Sequence, residues 1–367
     1  MHDPTLLVIN PGSTSTKVAI FQGEQIEASD TLRHDAAAIG AFPRIFDQFD
    51  MRRDAVNKFL SDNSFPIERL SAVIGRGGVL PPVEGGVYIV DDVLVEALYE
   101  YGWNHASSLG GLIARDVAQA AGVPAFIADP VTTDELDDIA RITGLPEIER
   151  RSVFHALNQK AVARRAASAL GRGYHECNLI VVHLGGGISV GGHRAGRVVE
   201  VSNALDGEGP YAPERSGNLP NTGVVTLCYS GAYTEREIRK KITGQGGLVA
   251  YLGTNSLLEV ERRIAAGDEH ARLCYEGMAY QAAKEIGRVA CAMSGEVDAI
   301  VVTGGAANST MLVGLITDRV KFIARVLVYP GEEEMHALAQ AAIRVLAGIE
   351  RAKRISPPRT DHKSQIE

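Results

Sequence analysis

Asn10-Pro11-Gly12-Ser13-Thr14-Ser15-Thr16-Lys17 stands between two short apolar runs, Leu6-Leu7-Val8-Ile9 and Val18-Ala19-Ile20-Phe21. Two strands joined by a polar turn read as a β-hairpin. The turn suits an anion. Gly12 permits close backbone approach, the hydroxyls beside it, Ser13 and Ser15 among them, can donate, and Lys17 can reach a polyphosphate. It is not a Walker A sequence, which needs Gly-x-x-x-x-Gly-Lys-Ser/Thr. Halfway along the chain the design recurs: Leu179-Ile180-Val181-Val182-His183-Leu184, then Gly185-Gly186-Gly187, then Ile188-Ser189-Val190, polar Gly191-Gly192-His193 and a further strand, Arg197–Val201. This recurrence predicts a duplicated α/β domain, each half opening with a hairpin whose turn can present backbone amides to a phosphate. Coincidence is the competing reading, because glycine-rich hairpins are common. A third turn, Gly304-Gly305-Ala306-Ala307-Asn308, follows the apolar strand Ala299–Thr303 and leads into a helix near Ser309. Strand, glycines and helix start in that order are a usual nucleotide-binding arrangement.

Amphipathic helices are expected at about 108–121, 152–170, 270–293 and 333–350, from apolar residues at three- and four-residue spacing. A chain of 367 residues, 45% of them hydrophobic, can bury two cores. Its formal net charge of −8 offers no attraction to nucleic acid or anionic lipid and favours small-molecule chemistry. Leu6–Ile9 has no basic segment before it and is cut at once by Asn10-Pro11-Gly12, so no signal peptide is expected. No apolar stretch approaches the roughly 18 residues of a membrane span, and a cytoplasmic protein follows. Cys177, Cys228, Cys274 and Cys291 lack any Cys-x-x-Cys pair, which predicts reduced, buried thiols and neither zinc nor a disulfide framework. From Arg351 the chain turns polar and carries Pro357-Pro358, reading as a solvated, disordered tail.

The pattern Asn-x-Gly-Ser-x-Ser-x-Lys after an amino-terminal strand resembles the first phosphate loop of the acetate and butyrate kinase family. Gly75-Arg76-Gly77-Gly78, Asn104-His105-Ala106-Ser107, Ala128-Asp129-Pro130, Phe154–Lys160, His183–Gly187, Pro213–Gly217 and Thr303-Gly304-Gly305 match further blocks of that family, in order, over roughly residues 5–348. Gly186 stands where acetate kinases have asparagine, a departure that resembles the butyrate branch. The resemblance implies an α/β fold of two related lobes, of the actin, hexokinase and acetate kinase type, with MgATP and the active site in the cleft between them. The lobes are expected over 1–150 with about 335–350, and over 151–334, with 351–367 as the tail. Also implied are ATP/ADP and Mg²⁺ as cofactors, a short-chain carboxylate such as butanoate as acceptor, and a homo-oligomer of at least two chains. Acetate or propionate as acceptor stays open, as do a sugar or polyol kinase on the same fold and a nucleotide-gated binding protein of the heat-shock or actin type.

Each candidate residue has a physical job. A phosphoryl group in transfer carries negative charge that cations of fixed geometry stabilise best. Arg76, after a strand-like run and before two glycines, and Arg215, in a loop bounded by proline and glycine, are the candidates; the competing reading is a surface salt bridge worth about 0–1 kcal/mol. His155 falls in the first turn of a helix that Ser152 could cap, at the positive end of the helix dipole, which predicts a neutral hydrogen-bond donor; a packed or capping histidine is the competing reading. Asp129 ends the apolar run Ala125–Ala128 and is the first candidate for Mg²⁺; a turn-forming aspartate before Pro130 is the alternative. By resemblance, Asn10 and Glu334 join the metal set, with the register among Glu332, Glu333 and Glu334 open. Asn10, Gly12, Ser13, Ser15, Lys17, His183, Gly185, Gly186, Gly187, Gly304, Gly305 and Ala306 form the nucleotide- and phosphate-binding set.

Overall fold

The computed structural model describes residues 3–102 and 105–356; Asn104 and the Pro357-Pro358 stretch of the tail lie outside them. The chain divides into unit 1, which runs to Thr133 and resumes at Glu333, and unit 2, Asp134–Glu332.

Unit 1 is built on a six-stranded sheet, in the order β3-β2-β1-β4-β6-β5. Its strands are β1 (Thr5–Pro11), β2 (Ser15–Gln22), β3 (Gln25–Arg33), β4 (Ala72–Arg76), β5 (Val87–Ile89) and β6 (Ala125–Ala128). β1, β2 and β3 form an antiparallel meander, whereas β4 and then β6 add in parallel beside β1. Every residue of β1 is buried, the mark of a strand covered on both faces. Leu7, Ile9 and Val73 pack with Leu109 and Ile113 of the helix Ser108–Ala121, while Phe21 meets His336 of the helix Glu334–Leu346 edge-on. The first helix can lie this close because Gly75 faces Gly110: a Cβ on Gly75 would stand 2.1 Å from the Gly110 carbonyl oxygen.

Unit 2 repeats the path on a five-stranded sheet, in the order β11-β10-β7-β8-β9. Here β7 (Asn178–Leu184), β8 (Ile188–Arg194) and β9 (Arg197–Val201) form the antiparallel meander, and β10 (Ala299–Gly304) and β11 (Val326–Pro330) add in parallel beside β7. The duplication read from the two glycine-containing turns is therefore present in five strands of each unit, and β5, antiparallel beside β6, is an addition peculiar to unit 1 among the described residues. Val162, Ala163, Ala166 and Ala167 of the helix Ala156–Ala169 cover Leu179, Val181, Ala299 and Val301. On the opposite face Ile180, Val182, Ile300 and Val302 pack with Tyr275, Met278, Ala282 and Ile286 of the helix Glu269–Ala292.

Several expectations need correction. Residues 134–150, assigned from sequence to the first lobe, belong to unit 2. They are tied there by charge: Lys160 Nζ donates to both oxygens of buried Glu135 at 2.9 and 2.7 Å, and Arg150 Nη1 donates to Glu200 Oε2 at 3.1 Å. The tail reading fails for 351–356. Lys353 exchanges backbone hydrogen bonds with Val87 and Ile89 of β5, and Ile355 is buried in the unit 1 core. An unpaired strand edge and one apolar side chain outweigh the polar composition. The strand read from sequence as Ile188-Ser189-Val190 runs on through polar Gly191-Gly192-His193 to Arg194; a Cβ on Gly191 would meet Gln159 Oε1 at 2.5 Å, so the glycine marks close packing. The helix expected over 152–170 begins at Ala156, with His155 at the cap position and Ser152 outside it. Burial of the thiols holds only for Cys177 and Cys274; Cys228 and Cys291 are exposed.

Candidate active site

In unit 1 three parallel strands end side by side. Ile9 is level with Gly75, and Arg76 with Ala128, so Asn10, Arg76 and Asp129 stand at the carboxyl ends of β1, β4 and β6, where ligands of α/β sheets collect. Glu334, the first residue of the last helix, joins them: its Oε2 accepts from Asn10 Nδ2 at 2.7 Å and from Arg76 Nη1 at 3.1 Å. Of the three successive glutamates, Glu334 is the one at Asn10 and Arg76. Glu333 is the helix cap residue, and Glu332 lies in unit 2, 3.4 Å from His183. Among the described residues only Nη1 of Arg76 is engaged, which leaves Nε and Nη2 for a ligand. His105 lies within Arg76's field. Although the residue is exposed, burial of its ring first and Arg76 second pull it below the ordinary imidazole range. Ser107 N–H donates to His105 Nδ1 at 3.3 Å, so the ring proton resides on Nε2.

Asp129 has φ +39, in the left-handed region that aspartate tolerates. Its Oδ1 accepts from Gly86 N at 2.7 Å, tying one carboxylate oxygen to backbone ahead of β5. In the first turn Gly12 N donates to Ser15 O at 2.7 Å, Ser13 is exposed, Ser15 is half-buried, and exposed Lys17 sits opposite Asn10 in the ladder. Among the described residues no three carboxylate, histidine or cysteine side chains converge on a cation position. Such a cage is not what Mg²⁺ requires: it takes one or two carboxylates with waters and substrate phosphates. The Glu334 carboxylate beside the Asn10 amide fits that donor set.

In unit 2 the second and third turns touch. Gly304 has φ +91, and a Cβ there would strike Leu184 O at 2.2 Å, so only glycine can end β10 against β7. Gly305 and Ala306 lie in the single 3-10 turn, Gly305–Asn308, that separates β10 from the helix Thr310–Val320. Arg215 rests on Gly187: a Cβ at Gly187 would stand 3.4 Å from the guanidinium carbon. Its Nη1 donates to Ala204 O at 2.6 Å, and Glu214 N donates to Gly186 O at 3.2 Å, fastening the Arg215 loop to the second turn. Burial pulls Arg215 below its ordinary range, opposed by Glu214 and Asp206, and a guanidinium keeps its proton in proteins.

His155 and His183 stack, with ring centroids 3.8 Å apart and planes 8° from parallel. Their protons follow from the bonds behind them. Gln159 Nε2 donates to the Ser189 carbonyl oxygen at 3.2 Å and to Ser189 Oγ at 2.8 Å. Since a carbonyl can only accept, Gln159 Oε1 faces His193 Nε2 at 3.0 Å as an acceptor, and His193 Nδ1 accepts from Tyr174 O–H at 2.7 Å. His193 is neutral: burial first, then Lys160 and Arg164, push it well below the imidazole range. The fully buried Ser189 hydroxyl keeps its own hydrogen for His155 Nδ1, 2.9 Å away, so His155 carries its proton on Nε2. His183 is opposite. Its Nδ1–H donates to Asn158 Oδ1 at 2.7 Å, and its buried Nε2, without a hydrogen bond among the described residues, lies 3.4 Å from Glu332 Oε1.

The residues behind His155 and His183 were only partly visible in the sequence. Asn158 and Gln159, one turn along the helix from His155, stand in a block of family resemblance but carried no assigned role. Ser189 and His193 alternate on β8, and nothing in their spacing distinguishes them from any half-polar strand.

A family profile described as the Acetokinase family matches residues 147–334. The chain is 51% identical to "Butyrate kinase 2" of Clostridium acetobutylicum over 350 residues, covering 95% of this chain and 98% of that one. Its fold is that of an acetate kinase from Porphyromonas gingivalis, at TM-score 0.76 and 19% identity, over 92% of this chain and 99% of that one. A propionate kinase from Francisella tularensis subsp. tularensis superposes at TM-score 0.73 and 20% identity, over 92% and 98%.

Proposed function

The chain belongs to the acetokinase family, and from that premise we propose that it transfers the γ-phosphoryl group of ATP to butanoate or a branched short-chain carboxylate, reversibly, giving ADP and the acyl phosphate. The carrying observation is that the likeness to the butyrate kinase relative runs almost the whole length of the chain rather than over one motif. Gly186, where acetate kinases place asparagine, supports the longer acceptor.

Asn10, Gly12, Ser13, Ser15 and Lys17 are assigned to phosphate, with His183 and Gly185-Gly186-Gly187 as their counterpart in unit 2 and Gly304-Gly305-Ala306 for the nucleoside side. Arg76 and Arg215 supply positive charge to the phosphoryl oxygens and acceptor carboxylate, and His155 donates its Nε2–H. Asn10, Glu334 and Asp129 are the candidates to hold Mg²⁺, which when bound neutralises phosphate charge. No general base is required. A carboxylic acid titrates at about pH 4–5, so the nucleophile is already deprotonated at neutral pH. The proposal also places the enzyme in the cytoplasm, as at least a dimer; the helix Asn221–Tyr229, with Val225, Leu227 and Tyr229 exposed, supports a self-contact that light scattering would test.

The deciding experiment offers MgATP with carboxylates of two to six carbons and traps acyl phosphate with hydroxylamine. Four- and five-carbon acids are expected to show the highest kcat/KM. Acetate ranking first would overturn the butyrate reading while leaving the family intact.

A further inference from the structure

The helix Phe49–Asp62 carries a fully buried arginine, Arg52, that faces the underside of the first turn. All five of its N–H groups are spent on neutral oxygens. Nη1 donates to Gly12 O at 2.9 Å, Ser15 O at 3.1 Å and Thr16 Oγ1 at 3.2 Å. Nη2 donates to Ser13 O at 3.0 Å and Gln48 Oε1 at 2.9 Å, and Nε donates to the same Gln48 oxygen at 3.1 Å. The remaining carbonyl of the turn, Thr14 O, accepts from His34 N at 3.0 Å. Every carbonyl from Gly12 to Ser15 is thus held on the protein side.

Two consequences follow. A turn whose carbonyls from Gly12 to Ser15 each accept a hydrogen bond from below turns its donors, the hydroxyls and outward amides, toward an anion. In addition, no carboxylate pairs with Arg52 among the described residues, and a buried charge without a counter-ion is costly unless something else answers it. Its field is felt locally, since His34 is held below the imidazole range by burial and then by Arg52.

We propose that Arg52 is a positioning residue for nucleotide phosphate: it holds the first turn carbonyl-side inward and backs the turn with an uncompensated positive charge that the bound polyphosphate answers. This rests on reading the turn as a phosphate site. Two variants test it. Arg52→Lys keeps a charge but offers three N–H donors on one nitrogen where the guanidinium serves five oxygens. Gln48→Glu keeps the guanidinium in place and gives it a counter-charge. ATP and AMP binding are titrated for each, beside thermal unfolding. The expected result is ATP affinity reduced about tenfold or more with AMP affinity changed by less than about twofold. A folded variant that keeps the parent's ratio of ATP to AMP affinity overturns the role of Arg52; should Arg52→Lys not fold, the near-isosteric Gln48→Glu decides. A parent chain that binds ATP no better than AMP would defeat the phosphate reading itself.

Discussion

Ser189→Ala tests whether the bonds behind His155 set its chemistry. The substitution deletes one oxygen that accepts from Gln159 Nε2 at 2.8 Å and donates to His155 Nδ1 at 2.9 Å. Gln159 Nε2 keeps the Ser189 carbonyl at 3.2 Å, so no amide is orphaned. The stability cost should therefore sit near one neutral hydrogen bond, about 1 kcal/mol, which for a unit of about 200 residues lowers the unfolding temperature by roughly 2–4 °C. Catalysis should suffer more. With Nδ1 unpartnered by Ser189, the His155 ring can rotate and hold its proton on either nitrogen, and a misplaced donor costs about tenfold in kcat, roughly 1.4 kcal/mol. His155→Ala sets the ceiling, about 10²–10³-fold for a lost transition-state donor. Tyr174→Phe, at the far end of the same bonds, should move kcat in the same direction by less. Initial rates with a coupled ADP readout and thermal unfolding measured together give both numbers. A Ser189→Ala enzyme that unfolds earlier yet keeps kcat within twofold would refute the argument, showing the bonds to be structural only.

Three further outcomes are expected. Arg76→Ala and Arg215→Ala should each lower kcat by about 10³-fold or more, near 4 kcal/mol, by analogy with arginine fingers; a change confined to KM would make that arginine a ground-state anchor. Asp129→Asn should fold normally, because asparagine also tolerates φ +39 and can still accept from Gly86 N. Its Mg²⁺ requirement should rise and activity return as Mg²⁺ is raised; activity that stays lost with ATP binding intact would point to a base and a hydroxyl acceptor. Stability should fall as pH drops below 6.5. His193 is neutral in the fold, its pKa held well below the ordinary imidazole value of 6.5, so the unfolded chain binds the extra proton there, and each such proton contributes a slope of up to about 1.4 kcal/mol per pH unit. His34 and His105 act in the same direction. His193→Gln should flatten the slope, and an unchanged slope would exclude His193 as its source.

The duplicated hairpins, the third glycine turn and the helix at 108–121 were legible in the chain itself, because each rests on local rules: alternating or continuous apolar runs, turn residues and helical periodicity. The charged candidates at strand ends were legible for the same reason, since the carboxyl end of a strand can be counted along the sequence. What pairs across distance was not. Whether Glu332, Glu333 or Glu334 meets Asn10 and Arg76 depends on a register one residue fine, set by how the last helix packs on β1 and β4. Arg52 lies between Met51 and Arg53 in a helix otherwise dotted with charges, and its spacing suggests solvent; only the turn folded over it makes it interior. The protonation of His155 is further removed still, for it depends on a carbonyl, an amide, a second histidine and a tyrosine drawn from separate segments. A side chain's type and its place in an element are local properties, but its partner, its proton and its desolvation are properties of three-dimensional neighbours, and those arise only when the sheet and its helices close.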